Sequence, residues 1–212
     1  MQLKLKDEKV KANGYIFKQL NVLTLAFFDI FDIDPKIDDE FEVIHSDKTI
    51  FKGYVNSINK IKTGYFQTIL ITNNKFDKEN KDIKSYDDED IVNIIKDILD
   101  LCKLKSDVKL DSFNINWIPK LTPALSLNNL FNTYTINKKK KVIWVDDNGK
   151  LIIDSGDAKD KKGDKIKNKI FERRGNVIAC DNENVPNIFD TIEDRVITGY
   201  KLTSKELELY VK

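Results

Sequence analysis

Glu40-Phe41-Glu42-Val43-Ile44, then Ser46-Asp47-Lys48, then Thr49-Ile50-Phe51-Lys52-Gly53-Tyr54-Val55: this stretch decides the fold. Charged and apolar residues alternate on both sides of a short polar break, the period of a half-buried strand on either side of a turn. The same pattern extends outward. Gln2-Leu3-Lys4-Leu5-Lys6 alternates, Asn13-Gly14 is a turn signal ahead of Tyr15-Ile16-Phe17, and Val22 to Phe28 is an apolar run of strand length. Asp34-Pro35 breaks the chain, because proline lacks an N–H and biases its predecessor away from helix. Thr63-Gly64 precedes another alternating run, Tyr65 to Thr72. Five or six short strands with turns between them predict a small antiparallel barrel or sandwich over residues 1–80.

The period changes in the middle of the chain. Ser85-Tyr86-Asp87-Asp88 reads as a helix start, with Ser85 as N-cap and acidic residues in the first turn, where the helix dipole favours them. Ile91, Ile94, Ile95, Ile98, Leu99 and Cys102 then share one face, and Lys103 and Lys105 close the end. Ser126 to Tyr134 predicts a second, shorter helix capped by Ser126. Lys141-Val142-Ile143-Trp144-Val145 and Lys150-Leu151-Ile152-Ile153 flank Asp146-Asp147-Asn148-Gly149, a hairpin signal. Residues 155–169 read as a polar loop, and strands return at Val177–Cys180, around Thr191–Ile197 and at Lys205–Val211. The expected class is β-rich α+β: two small antiparallel β-barrel-like units (1–80 and 138–212) with a helical linker region (81–137) between them. Ile37 to Val43 with Gly53-Tyr54-Val55 corresponds loosely to Ile192 to Ile197 with Gly199-Tyr200-Lys201, a degenerate repeat of one turn-strand-strand arrangement.

Composition narrows the chemistry. The 212 residues carry 36 basic and 35 acidic side chains and a net charge of +1, weakening the case for a dedicated nucleic-acid module. Lysine outnumbers arginine 33 to 3, a bias that points to an AT-rich genome. No apolar run approaches the roughly 20 residues that span a bilayer, and no signal peptide opens the chain, so a soluble intracellular product, or one released without secretion, is expected. The single histidine, His45, reads as a surface residue ending a strand. Cys102 and Cys180 are isolated and read as reduced, buried, apolar residues. Without a CxxC spacing, no zinc or iron–sulfur site is expected. Asp87, Asp88, Glu89 and Asp90 point in different directions on a helix and read as capping, not as a metal cluster. The acidic stretch from Asp29 to Asp47 lacks the glycine and spacing of a calcium loop. No catalytic, cofactor-binding or metal residues are assigned.

In this order of elements the chain resembles phage baseplate hub proteins of the late control protein D type, whose fold also occurs in the N-terminal part of type VI secretion spikes. The resemblance rests on four places. Ile37 to Val43 followed by Phe51-Lys52-Gly53-Tyr54-Val55 is similar to the family's first-barrel hairpin. Asp90 to Leu99 with Lys103-Leu104 resembles the helix linking the barrels, and Ser126 to Phe131 the second helix. Val142 to Ile153 is similar to the hairpin that follows. The resemblance implies an architectural protein: a homotrimer whose paired barrels form a pseudo-six-fold ring. That ring joins the tail tube to the central spike and contacts other baseplate proteins, and phage DNA passes through its bore without specific binding. It implies no enzyme, cofactor or membrane partner, and a place in the virion tail baseplate after assembly in the host cytoplasm.

Two other readings stay open. Residues 138–175 hold 13 basic and 7 acidic side chains and could serve a nucleic-acid-binding barrel, although no aromatics interleave to stack bases. A small hydrolase would need carboxylates such as Asp146 and Asp147, which adjacent on a strand face opposite sides.

Overall fold

The computed structural model describes residues 1–5, 8–21, 25–31, 33–60, 67–72, 83–102, 104–120, 122–137, 140–146 and 148–212. The expectations placed on Val22 to Thr24, Thr63 to Phe66, Lys103 and Asp147 therefore lie outside the described residues. The chain begins with strands β1 (Gln2–Leu5), β2 (Glu8–Val10), β3 (Ala12–Gln19), β4 (Leu25–Ile30), β5 (Glu40–His45), β6 (Lys48–Lys60) and β7 (Gln67–Thr72). Next come β8 (Tyr86–Asp90), α1 (Ile91–Leu101), β9 (Ser106–Lys109), β10 (Asn114–Trp117), α2 (Pro123–Ile136), β11 (Lys141–Val145) and β12 (Leu151–Ser155). The last strands are β13 (Ile170–Arg174), β14 (Val177–Cys180), β15 (Thr191–Ile192), β16 (Arg195–Thr203) and β17 (Leu207–Val211). The protein is β-rich with two helices among the described residues, and most of its strand pairs are antiparallel.

Two compact units are present: residues 1–74 with 144–149 and 158–212, and residues 75–143 with 150–157. In the first, one sheet runs β13-β14-β17-β16-β3-β4-β7-β6-β5-β1-β2, and β15 pairs with β16 beside this path. Strands from both ends of the chain meet where β3 and β16 pair antiparallel, with Gly199 opposite Gln19, Tyr200 opposite Lys18 and Leu202 opposite Ile16. No closed barrel is found among the described residues. Inward-facing residues of both halves build one core that includes Ile16, Phe28, Phe41, Phe51, Tyr200 and Leu209. Such alternation is what the period-2 pattern encodes.

Asn13-Gly14 departs from expectation: it lies within β3 and is not a turn. A Cβ on Gly14 would overlap the Phe27 carbonyl oxygen and the Phe28 ring, so the glycine serves close strand approach. Ser46 and Asp47, at φ 48° and 61°, make the tight two-residue turn that joins β5 to β6.

In the second unit, α1 buries Ile91, Ile94, Ile95, Ile98 and Leu99, the face that the sequence spacing defines. Its start is five residues later than expected, because Tyr86–Asp90 pairs with Asn114–Trp117 as a β-ribbon. The cap is Asp90, whose Oδ1 accepts the Val92 N–H at 2.9 Å. The second helix, by contrast, starts earlier than expected, at Pro123, and its cap is Thr122, whose Oγ1 accepts the Leu125 N–H. Ser126 is instead buried inside it and accepts the Lys120 N–H at 3.0 Å. Tyr134 is fully buried and accepts the Asp111 N–H, and the Trp117 indole donates to Asn129. A three-stranded sheet, β11-β12-β9, completes the group, with β12 and β9 parallel.

These caps separate by mutation. Asp90→Ala removes the hydrogen bond that starts α1 and is expected to cost about 1 kcal/mol. Ser85→Ala, at an exposed position ahead of the ribbon, is expected to leave the urea midpoint unchanged.

Candidate functional site

The first unit contains a structural duplication that runs down to individual hydrogen bonds. In space β3 to β7 lie in the order β3-β4-β7-β6-β5, and β13 to β17 lie in the order β13-β14-β17-β16-β15. Each set is thus the same five-stranded antiparallel arrangement in the same chain order. Ahead of the third strand of each set stands one turn, Pro35-Lys36-Ile37-Asp38-Asp39 in the first and Pro186-Asn187-Ile188-Phe189-Asp190 in the second.

In the first turn the Lys36 N–H donates to Asp39 Oδ2 at 2.8 Å, and in the second the Asn187 N–H donates to Asp190 Oδ2 at 2.8 Å. Backbone bonds repeat likewise. Asp39 N–H donates to Lys36 O, Asp38 N–H to Val55 O and Val55 N–H to Asp39 O. Their counterparts are Asp190 N–H to Asn187 O, Phe189 N–H to Ile197 O and Ile197 N–H to Asp190 O. Asp38 and Phe189 both have positive φ, 70° and 79°, and the two-residue turn after each third strand, Ser46-Asp47 or Glu193-Asp194, has positive φ throughout. The fourth strand then shifts register in each set, between Val55 and Ser57 and between Ile197 and Gly199. A β-bulge of this kind bends a strand at a fixed place.

The loose repeat in the sequence reading pairs Ile37 with Ile192. The hydrogen bonds correct that register: the counterpart of Ile37 is Ile188, each two residues after a proline. The signal available in the sequence is Pro-x-Ile-x-Asp at 35–39 and again at 186–190, five residues long and easily missed.

The halves join where β3 covers β16. Gly199 is needed there, since a Cβ would lie 2.7 Å from the Lys18 carbonyl oxygen and 3.0 Å from the Gln19 Cα. Lys18 is 4% exposed and its ammonium lies 6.0 Å from the centre of the Tyr200 ring. His45, expected at the surface, is part-buried and bonds through Nε2 to the Asn182 carbonyl oxygen at 2.5 Å, a second link between sequence-distant segments. Asp190 is 6% exposed, and its Oδ1 accepts the Asp164 N–H at 2.9 Å, which fixes the preceding loop.

The remaining sequence candidates have roles of their own. Cys102 and Cys180 are buried and form no disulfide, and burial pushes the Cys180 thiol up to about 12. The acidic run does not converge: Asp90 caps α1, Glu89 accepts from Asn93 Nδ2, and Asp88 accepts through its backbone from Asn114. No group of three or more metal-ligating side chains occurs among the described residues. Asp146 accepts the Asn148 N–H at 2.9 Å in the β11–β12 connection, while its neighbour Asp147 lies outside the described residues. Several of the basic 138–175 side chains are paired with carboxylates: Lys140 with Asp157, Lys150 with Asp107, Lys165 with Asp194, Arg173 with Glu193 and Arg174 with Glu172. In the second unit Lys84, Tyr86, Asp97, Asp100 and Leu101 line an open depression of about 450 Å³. There Tyr86 donates to Asp97 at 3.0 Å, and burial followed by that bond raises its phenol to about 12. No helix among the described residues is long and apolar enough to cross a membrane.

Replacing Asp190 with Asn puts an amide NH2 against one of two backbone N–H donors, so Asp190→Asn is expected to lose about 1.5–3 kcal/mol in urea unfolding. Asp39→Asn in the more exposed twin turn is expected to lose less.

No family model matches this chain, and no curated protein matches it. Among solved structures it is similar to the 43 kDa tail protein of prophage MuSo2 from Shewanella oneidensis: TM-score 0.68, 11% identity, over 99% of this chain and 96% of that one. It is also similar to a tail protein from Neisseria meningitidis MC58, with TM-score 0.63 and 10% identity over 100% of this chain and 95% of that one. A third is the prophage tail protein gp18 from Listeria monocytogenes EGD-e, with TM-score 0.55 and 10% identity over 94% and 87%. At these identities the likeness is one of fold.

Proposed function

We propose that this protein is a structural, non-enzymatic component of a contractile phage or phage-like tail. It forms the homotrimeric baseplate hub that joins the tail tube to the central spike. The observation that carries this reading is the duplicated five-stranded set, found in a chain whose fold is similar to three tail proteins, two of them from prophages, over nearly its whole length. A joint between a six-fold tube and a three-fold spike needs two similar faces per subunit, so that three chains present six. The two sets supply such a pair.

On this reading the β-barrel-like units correspond to residues 1–80 and 138–212, with the helical region 81–137 between them. In the first, the strands follow the path β3-β4-β7-β6-β5-β1-β2, which supports the reading as one continuous antiparallel sheet. The partners are further copies of the chain, the tube protein, the spike and other baseplate proteins, in the virion tail after assembly in the host cytoplasm. DNA passes through the bore without specific binding, which a near-neutral chain is compatible with. The ion pairing of Lys140, Lys150 and Lys165 weighs against the nucleic-acid-binding alternative.

Sedimentation velocity of the purified chain, alone and with the tail tube protein of the same phage or prophage, tests the reading. A trimer, or a trimer formed on adding the tube protein, is expected. A monomer under both conditions that binds DNA with a steep salt dependence contradicts it.

A further inference from the structure

The duplication has one asymmetry. In the second set β16 is flanked by β17 on one side and, past the bulge, by β3 on the other, along Gly199 to Thr203. In the first set β6 is flanked by β7, and on its other side β5 and the Asp38-Asp39 turn reach only as far as Val55. Past the bulge, Ser57 to Lys60 have no strand on that side among the described residues. The twin turns differ in the same sense: Ile188 is 6% exposed, and its counterpart Ile37 is 53% exposed. At the far end of the sheet the first strand of the second set, β13, pairs among the described residues with β14 alone, and its Phe171 is 57% exposed.

Charge distinguishes these two open places. All three arginines of a chain with 33 lysines, Arg173, Arg174 and Arg195, gather at the β13–β14 hairpin. Arg173 pairs with Glu193, Arg174 with Glu172, and Arg195 donates to Gly175 O at 3.0 Å and to Asn176 Oδ1 at 2.9 Å. A guanidinium has five N–H donors, so Arg173 and Arg174 keep donors beyond the carboxylate that each holds. At the open edge of β6, the Pro35–Asp39 turn carries Asp38 and Asp39, with Asp34 just ahead of it, against Lys36. One of them, Asp34, lies 3.1 Å from Lys60.

Resting on the hub reading, we propose that the arginine-bearing β13–β14 hairpin of one copy docks on the Ser57–Lys60 edge and the acidic Pro35–Asp39 turn of the next. It takes there the place that β3 takes on β16 within a chain. The two surfaces differ, so the contact is head-to-tail and generates a ring when it closes. Edge pairing supplies the backbone hydrogen bonds, and the opposite charges set direction and partner.

The test uses full-length chains carrying either Phe171→Cys or Asn59→Cys, mixed and treated with a short bismaleimide, with sedimentation run in parallel. Both native cysteines are buried, and untreated wild type controls for them. A covalent dimer in the mixture, tenfold or more above either variant alone, supports the contact. A second arm uses Arg174→Glu and Arg174→Lys, with thermal melting as the folding control. Both are expected to shift the trimer toward monomer at an unchanged melting midpoint, glutamate more than lysine. Trimers that form without the cross-link and survive Arg174→Glu overturn this contact and leave the hub reading standing. A monomer at every concentration, with or without the tube protein, overturns both.

Discussion

The antiparallel pairing of β3 with β16 is the constraint on which the rest of the structure depends. It brings residues near the two ends of the chain into one sheet, and it does so through an approach so close that Gly199 has no room for a side chain against the Lys18 carbonyl. Closing so long a loop costs entropy that only a large shared core offsets. Here that core takes Ile16 and Phe28 from one half and Tyr200, Leu202 and Leu209 from the other. Pairing of this kind is non-local, so the two β-sets cannot complete their common sheet until both are present.

Around this joint the molecule repeats itself. The Pro35–Asp39 and Pro186–Asp190 turns, the positive-φ residues within them, the two-residue turns after β5 and β15 and the bulges in β6 and β16 all recur in order. Each recurrence has a local cause. An aspartate oxygen holds the N–H three residues back, a left-handed residue redirects the chain, and a bulge bends the strand so that its far half can meet a new neighbour. One of the two far halves has that neighbour within the chain.

Much of this was legible in the residues. The period-2 runs locate β1, β5, β6 and β17, and the isoleucine spacing locates α1, because burial on one face leaves a direct imprint on sequence. The ends of the helices were not legible. Ser85 and Asp90 are equally good caps on paper, and only the pairing of Tyr86–Asp90 with Asn114–Trp117 decides between them. Asn13-Gly14 misled for a related reason, since glycine serves turns and close strand contacts alike and the choice is tertiary. The strand β13, rich in charge, gave no alternating signal, and the partly buried bond of His45 to Asn182 depends on a residue far along the chain.

The central claim is that two equivalent β-sets in each chain build a ring of six similar faces from three subunits. Electron cryomicroscopy of the purified assembly tests it most directly. The account predicts a three-fold ring in which the contact between neighbouring chains superimposes on the β3–β16 joint within each chain. A monomer, or an assembly whose subunits meet through surfaces unrelated to either β-set, would contradict it.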